Sequence, residues 1–271
     1  MKKKFLLGLV LLFGTSSSAN QINPNLIEVF ALQATPNPTQ LPTTLTLFKE
    51  VNYAEVMWSI LIPTIDERST LFCTLMQKLL HQINTAGLGN KIEIIFYRDN
   101  CQQTVGYKRN SLLKNARGKY TCFVDDDDDV CNDYINLIYA KLATDPDCVR
   151  FVSLVTFAGK KQRMLRVHSI AHVQYRNSKT TQYRPVAHLN PIRRTIALQF
   201  QFPEYSFGED QFWSTEITKS GLLKTEAYID VPYYFYRFDM QKSKTWHQRA
   251  KTPRWIRKYR PWQKEERTDK A

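Results

Sequence analysis

Three short apolar runs limit how this chain can fold. They are "MWSILIP" (Met57 to Pro63), "KIEIIFY" (Lys91 to Tyr97) and "KYTCFV" (Lys119 to Val124). Runs of this length, rich in β-branched and aromatic residues, read as buried strands, the first ended by its proline. Between and after them the period changes. Leu71, Phe72, Leu75, Met76, Leu79, Leu80 and Ile83 recur at helical spacing until the loop "TAGLGN". "GYKRNSLLKNA" reads as a second helix with Gly118 as its C-cap, and "DYINLIYAKLA" as a third. Strands that alternate with helices predict an α/β domain, with a Rossmann-like, largely parallel sheet flanked by helices.

Sheets of this kind bind ligands beyond the C-terminal ends of their strands. Three polar clusters fall there: Thr64 to Arg68, Arg98 to Asn100, and the five consecutive aspartates Asp125 to Asp129. Crowded carboxylates repel one another and need a counter-charge. Oxygen ligands suit a divalent cation, Mn²⁺ or Mg²⁺. Alternate residues of an extended segment point the same way, so Asp125 and Asp127 can face one ion while Asp126 faces away. A diphosphate would complete the shell. A calcium loop starting at Asp125 needs Gly sixth and Glu twelfth, where Val130 and Asn136 stand. A solvated acidic turn capping the next helix is the plainer alternative.

The run is not part of a generally acidic chain, because the formal net charge is +13. A basic surplus favours anionic partners such as phosphates, nucleotides or lipid headgroups. Much of it lies in a tail, residues 241–271, where Trp246, Trp255, Tyr259 and Trp262 are interleaved with Arg and Lys. That tail suits a membrane surface or simple packing on the domain. Residues 1–19 carry the pattern of a secretory signal: Lys2 to Lys4, the apolar Phe5 to Phe13, then small residues. This points to a secretory or exported location, with a cytoplasmic, membrane-associated protein as the alternative. Residues 20–55, rich in Pro, Asn and Thr, read as a lead-in to a domain over 56–240. The five cysteines form no CxxC pair, which argues against a zinc cluster. Cys73 and Cys122 sit in apolar runs and read as buried thiols.

The order of motifs resembles a known family. "SILIPT…R", a second strand ending in Asp99, "GYKRNSLLKNARGKYTCFVDDDDD" and a later "GED" are similar to the family 2 glycosyltransferases of GT-A fold. The resemblance covers about residues 57 to 240. It implies a nucleotide-diphosphate-sugar donor, a UDP-sugar favoured, and a divalent metal held by a DxD motif. That motif maps onto Asp125 and Asp127, with Asp128 as an alternative ligand. It further implies nucleotide contacts from Thr64, Arg68, Asp99, Arg109 and Asp126. The loop "PTIDER" is one residue longer than the common form.

"FPEYSFGEDQFW" (Phe202 to Trp213) is the second constellation. The resemblance implies a carboxylate base at the start of a helix here. Asp210 is the first candidate and Glu209 the reserve. An acceptor hydroxyl is a poor nucleophile until its proton is removed, so such a base is chemically required. His188, Asn190, Arg193 and Trp213 are expected to line the acceptor, a glycan, lipid or protein; no nucleic acid is expected. "YYFYRF" (Tyr233 to Phe238) reads as a strand with Tyr234 and Tyr236 on one face. The expectation is a metal-dependent, inverting glycosyltransferase, against a non-catalytic nucleotide- or carbohydrate-binding protein on the same fold.

Overall fold

The computed structural model describes residues 29–33, 56–157 and 163–238. The signal-like segment, all of the lead-in but five residues, and the basic tail lie outside the described residues. Among the described residues no helix is long and apolar enough to cross a membrane.

The expected α/β architecture is the one observed. Four parallel strands, β1 (Val29–Gln33), β2 (Trp58–Ile65), β3 (Ile92–Asp99) and β4 (Tyr120–Phe123), lie in the order β1-β3-β2-β4. Helices α1 (Ser69–Thr85) and α2 (Val105–Asn115) make the crossovers. The chain continues through β5 (Asp129–Val130), α3 (Tyr134–Leu142), β6 (Cys148–Val149), β7 (Phe151–Phe157) and β8 (Arg163–His168). Then come β9 (Arg176–Asn177), β10 (Thr181–Arg184), β11 (Ile192–Arg193), α4 (Arg194–Ala197), α5 (Glu209–Ser220), β12 (Glu226–Ala227) and β13 (Tyr234–Phe238). Strands β11, β6 and β12 extend the first sheet, with β11 antiparallel to both its neighbours. A second, mixed sheet runs β5-β13-β7-β8-β10-β9.

The first sheet is covered on both faces, which is why its strands read as unbroken apolar runs. Trp58, Ile60 and Ile62 pack with Phe72, Leu75, Leu79 and Ile83 of α1 and Ile135 and Ile138 of α3. Leu61 and Phe123 face the other way, onto Leu112 and Leu113 of α2 and Trp213 and Ile217 of α5. Two local expectations fail. Strand β2 continues through Pro63 to Ile65, because past Leu61 it is paired with β3 alone; an edge position tolerates the missing N–H. Gly118 is no C-cap, since α2 ends at Asn115 and Ala116 is already extended. A Cβ on Gly118 would lie 2.6 Å from the Ser59 backbone nitrogen, so its smallness lets the chain pass β2. All five cysteines are free thiols; Cys122 is buried and Cys73 half-buried.

The first turn of α2 is fixed by contact with residues far along the chain. Gly106 donates its N–H to the Tyr205 carbonyl at 2.9 Å, and a Cβ there would sit 1.9 Å from the Pro203 carbonyl oxygen. Neither backbone atom is a flexible side-chain end, so the segments must part to admit a methyl. Gly106→Ala is expected to destabilise the protein by about 1–3 kcal/mol, the usual cost of overpacking. Urea denaturation checks this; an unchanged midpoint would show that residues 203–205 do not pack on α2.

Candidate active site

The five aspartates follow β4, and every one of them has a partner, Arg68 and Arg237 each serving two. Asp125 accepts from Arg109 Nη2 at 3.0 Å. Asp126 is buried and accepts from Thr64 Oγ1 and Arg68 Nη1, both at 2.7 Å. Asp127 meets Arg68 Nη2 at 3.0 Å and keeps 37% of its side chain exposed. Asp128 accepts from the Tyr234 hydroxyl at 2.8 Å and the Arg237 N–H at 2.9 Å. Asp129 is held by Lys78 at 3.0 Å and Arg237 at 2.8 Å. Burial and the neighbouring carboxylates still leave a charge surplus. Burial, then Asp126 and Asp125, push Asp127 up to about 6 against the pull of Arg68. Asp128 is raised well above the carboxylate range by burial, Asp127 and Asp125.

Three consecutive residues of α2 tie this cluster to the rest of the molecule. A helix turns about 100° per residue, so Lys108, Arg109 and Asn110 leave in three directions. Lys108 is buried, donates to the Thr64 carbonyl at 3.0 Å and pairs with Asp99. Asn110 donates to the Phe202 carbonyl at 2.8 Å and accepts from the Phe202 N–H at 2.9 Å. Arg109 is buried between Asp125 and Glu209, whose Oε1 accepts from Arg109 Nε at 3.4 Å. Its guanidinium carbon lies 5.1 Å from the Phe123 ring centroid and 5.9 Å from that of Phe202. Burial would weaken its charge, but Asp125, Glu209 and Asp210 outweigh it.

The two acidic residues that open α5 differ sharply. Glu209 is buried, and burial first, then the Asp210 charge, push it up to about 8 despite Arg109. At neutral pH it holds its proton and is no base. Asp210 is half-buried, and no hydrogen bond or ion pair to a described residue holds its carboxyl. His188 lies beside them, its Nε2 3.7 Å from Asp125 Oδ2, too long for a hydrogen bond. Burial, then Arg109, keep His188 neutral. Both its ring nitrogens and Arg109 Nη1 are buried without a hydrogen-bond partner. These unpaired atoms belong to two side chains that both lie beside Asp125.

Other expected residues fall elsewhere. Asp99 is enclosed: it accepts from the Gln103 N–H at 2.7 Å and the Cys101 N–H at 3.2 Å besides Lys108, and its side chain has no exposed surface. It shapes the loop after β3 and has no face for a nucleotide. Asp126 likewise holds Arg68 in place and meets no solvent. Asn190 is fully buried, bonded to the Ala187 N–H and the Val149 and His168 carbonyls. Arg193 pairs with Asp145 and Asp147 beside Tyr120, at the opposite end of β4 from the aspartates. Trp213 stacks on Phe202 at 5.0 Å in the core. None of these three lines an acceptor. Lys108, Asn110 and the Tyr234 hydroxyl were missed. Their signals were present, as the whole "KRN" triplet and the alternation of "YYFYRF".

Among the described residues no group of three or more His, Cys, Asp or Glu is arranged to enclose a metal ion. Asp128 is committed to Tyr234 and Arg237, so it is a poor ligand. Asp125 and Asp127 remain, partly exposed at 23% and 37% of their side chains. Two carboxylates fit a cation that takes most of its shell from phosphate and water, and do not fit one caged by protein.

No known protein family and no curated protein matches the sequence. Among solved structures, S. aureus TarS aligns at 15% identity and a TM-score of 0.45, over 68% of this chain and 37% of that one. Residues 1–349 of TarS in complex with UDP-GlcNAc align at 16% identity and 0.43, over 68% and 59%. The same fragment in complex with UDP gives 16% and 0.42, over 69% and 62%. In each case the chain spans less than two thirds of its neighbour's length. A likeness this distant defines neither a substrate nor a reaction.

The proton on Glu209 has a measurable consequence. The folded state keeps it over a pH range where the unfolded chain, titrating near 4.5, has lost it. The associated stability is complete below that value and is lost as pH rises through about 8. Glu209→Gln mimics the neutral form. It is expected to flatten the loss of stability between pH 5.5 and 8.5 by at least about 1 kcal/mol. Urea titrations at both pH values check this, and an unaltered slope would mean that Glu209 is ionised in the native protein.

Proposed function

We propose that this protein is a glycosyltransferase that moves a sugar from a nucleotide-diphosphate donor to an acceptor hydroxyl with inversion. One observation carries the reading. Two partly exposed carboxylates, Asp125 and Asp127, follow the C-terminal end of β4, and a third, Asp210, engaged by no hydrogen bond from a described residue, lies within electrostatic reach of Arg109, the partner of Asp125. The first two suit a metal-bound diphosphate and the third suits a general base. The order of motifs that resembles family 2 glycosyltransferases supports the same assignment.

In this mechanism Arg68, held by Asp126, meets the donor at the end of β2. A divalent cation, when bound, would be held by Asp127 and Asp125 and would neutralise charge on the diphosphate leaving group. Asp210 takes the proton from the acceptor hydroxyl as its oxygen bonds to the anomeric carbon. The bond from that carbon to the diphosphate oxygen breaks, and its electron pair leaves with the nucleotide. Attack opposite the leaving group inverts the centre. Glu209, protonated, stands out of this transfer and accepts from Arg109. His188 and Arg109 Nη1 offer donors to the donor sugar or its phosphates.

Calorimetric titration of the purified chain with UDP tests the donor site. Binding is expected to require Mn²⁺ and to weaken by about tenfold or more in Asp125→Ala/Asp127→Ala, since each lost charge-assisted contact is worth about 1.5–3 kcal/mol. Mn²⁺ without UDP is expected to bind weakly, because Arg68 already neutralises Asp127 and no third ligand is present. No binding of UDP, followed by none of GDP, would remove the proposal. Asp210→Asn is expected to leave the UDP affinity intact and to slow release of UDP from UDP-sugars by about 10²–10⁴-fold. Unchanged turnover in that variant would require another base.

A further inference from the structure

Between Asp147 and Glu204 the chain has no acidic residue, yet it holds ten lysines and arginines. Most of the second sheet comes from this stretch. One face of that sheet starts at the active site. Tyr234, whose hydroxyl is on Asp128, pairs in register with Ser153, Ser153 with Arg166, and Arg166 with Gln182. The row runs from the aspartates outward across β13, β7, β8 and β10. Tyr236 stands two residues along β13 from Tyr234 and so shares this face. Burial raises the Tyr236 phenol against the opposing pull of Arg166, and Asp128, Asp125 and Asp210 add to the rise.

Arg166 is the unusual member of the row. It is half-buried, and its guanidinium carbon lies 4.9 Å from the Tyr236 ring centroid. Its Nε donates to Gln182 Oε1 at 2.8 Å, which fixes the plane of the guanidinium. No described carboxylate pairs with it, and neither terminal nitrogen has a hydrogen-bond partner among the described residues. The cations around the aspartate run are all paired. A half-buried guanidinium without a counter-ion is costly, and its two free nitrogens form the fork that a carboxylate or phosphate fits. Beside it, Ser153 Oγ is buried with no partner. Aromatic face, guanidinium, amide and hydroxyl together make a surface for a charged sugar ring.

We propose that the acceptor is an acidic glycan, and that Arg166 binds a carboxylate- or phosphate-bearing sugar of it against Tyr236. The proposal rests on the glycosyltransferase reading for the word acceptor, and on the second sheet alone for the anionic glycan. A nucleic acid fits less well, because the row Tyr234, Ser153, Arg166 and Gln182 carries one cation and not a stripe of them.

The test is binding of the full chain to three probes: hyaluronan hexasaccharide, a phosphorylated maltohexaose and plain maltohexaose. At least one acidic probe is expected to bind about tenfold or more tightly than the neutral one, the scale of a charge-assisted pair. Arg166→Gln is expected to abolish that preference, with its melting temperature reporting an intact fold. Arg166→Lys should recover part of it, because it keeps the charge and loses the fork. The proposal is overturned by equal binding of all three probes, by no saturable binding, by a preference that survives Arg166→Gln, or by tighter binding of oligo(dT) than of either acidic glycan. If the acidic preference holds while Mn²⁺-dependent UDP binding fails, the transferase reading falls and the anionic sugar subsite stands.

Discussion

A buried guanidinium is stable only where its charge and its N–H groups are met, and Arg109 is met from two sides, by the charge of Asp125 and by a hydrogen bond to Glu209. Asp125 comes from the end of β4 and Glu209 from the start of α5, 84 residues apart by 209 − 125. Phe123 and Phe202 close over its faces. These four residues belong to β4 and the turn after it, to α5 and to the segment that leads into α5. Removing the arginine would leave a carboxylate and a protonated acid facing each other with nothing between them. Its neighbours in sequence reinforce the joint, since Lys108 locks α2 to the end of β2 and Asn110 locks it to Phe202. One helical turn therefore sets the distance between the aspartates and the acids of α5, and catalysis on the proposed reading depends on that distance.

The same charge separates two adjacent acids into different roles. Glu209 lies inside, where burial and the nearby Asp210 favour its neutral form. Asp210, one residue on, points about 100° away around the helix and remains accessible. A protonated Glu209 removes one negative charge from the vicinity of Asp125, so Arg109 can serve Asp125 nearly undivided, and Asp125 is held well below the usual carboxylate range. The sequence "GED" names two acids without ranking them. Burial ranks them.

Strands β2, β3 and β4 of the first sheet were legible because both their faces are buried, which leaves a plain apolar signature in Trp58 to Ile62 and Ile92 to Ile95, whereas β1, within the segment read as a lead-in, and the short β6, β11 and β12 were not. Of the second sheet only β13 was legible, in "YYFYRF". Its strands β5 and β9 have two residues each, and β8 and β10 are half-buried at most positions and mix apolar with polar side chains. The gathering of Thr64, Arg68 and the aspartates was legible too, since parallel strands bring their C-terminal ends together. The acceptor assignments rested on nearness in sequence to "HLNPIRR" and "GEDQFW", and there they failed. Asn190 turns inward to satisfy three backbone groups, Arg193 reaches the far end of β4, and Trp213 is buried in the core against Phe202. Only His188 of that set meets Asp125. Arg166 carried no motif, and only the pairing of β7, β8 and β10 places it beside Tyr236.

Five like charges in a row look like a source of instability, yet most of them serve the fold. Asp126 fixes Arg68, Asp128 fixes β13 through Tyr234 and Arg237, and Asp129 joins Lys78 of α1 to Arg237. The basic surplus of the chain supplies these partners from three elements, which draws β2, α1 and β13 around the end of β4. With the even-numbered aspartates turned inward, Asp125 and Asp127 are left on the open side, where alternation of an extended segment puts them. Their repulsion is only partly relieved by Arg109 and Arg68. That residual negative charge is therefore confined to two carboxylates, at the one point where the sheet, α2 and α5 meet. A cation arriving there with a diphosphate would complete the compensation that the protein itself leaves unfinished.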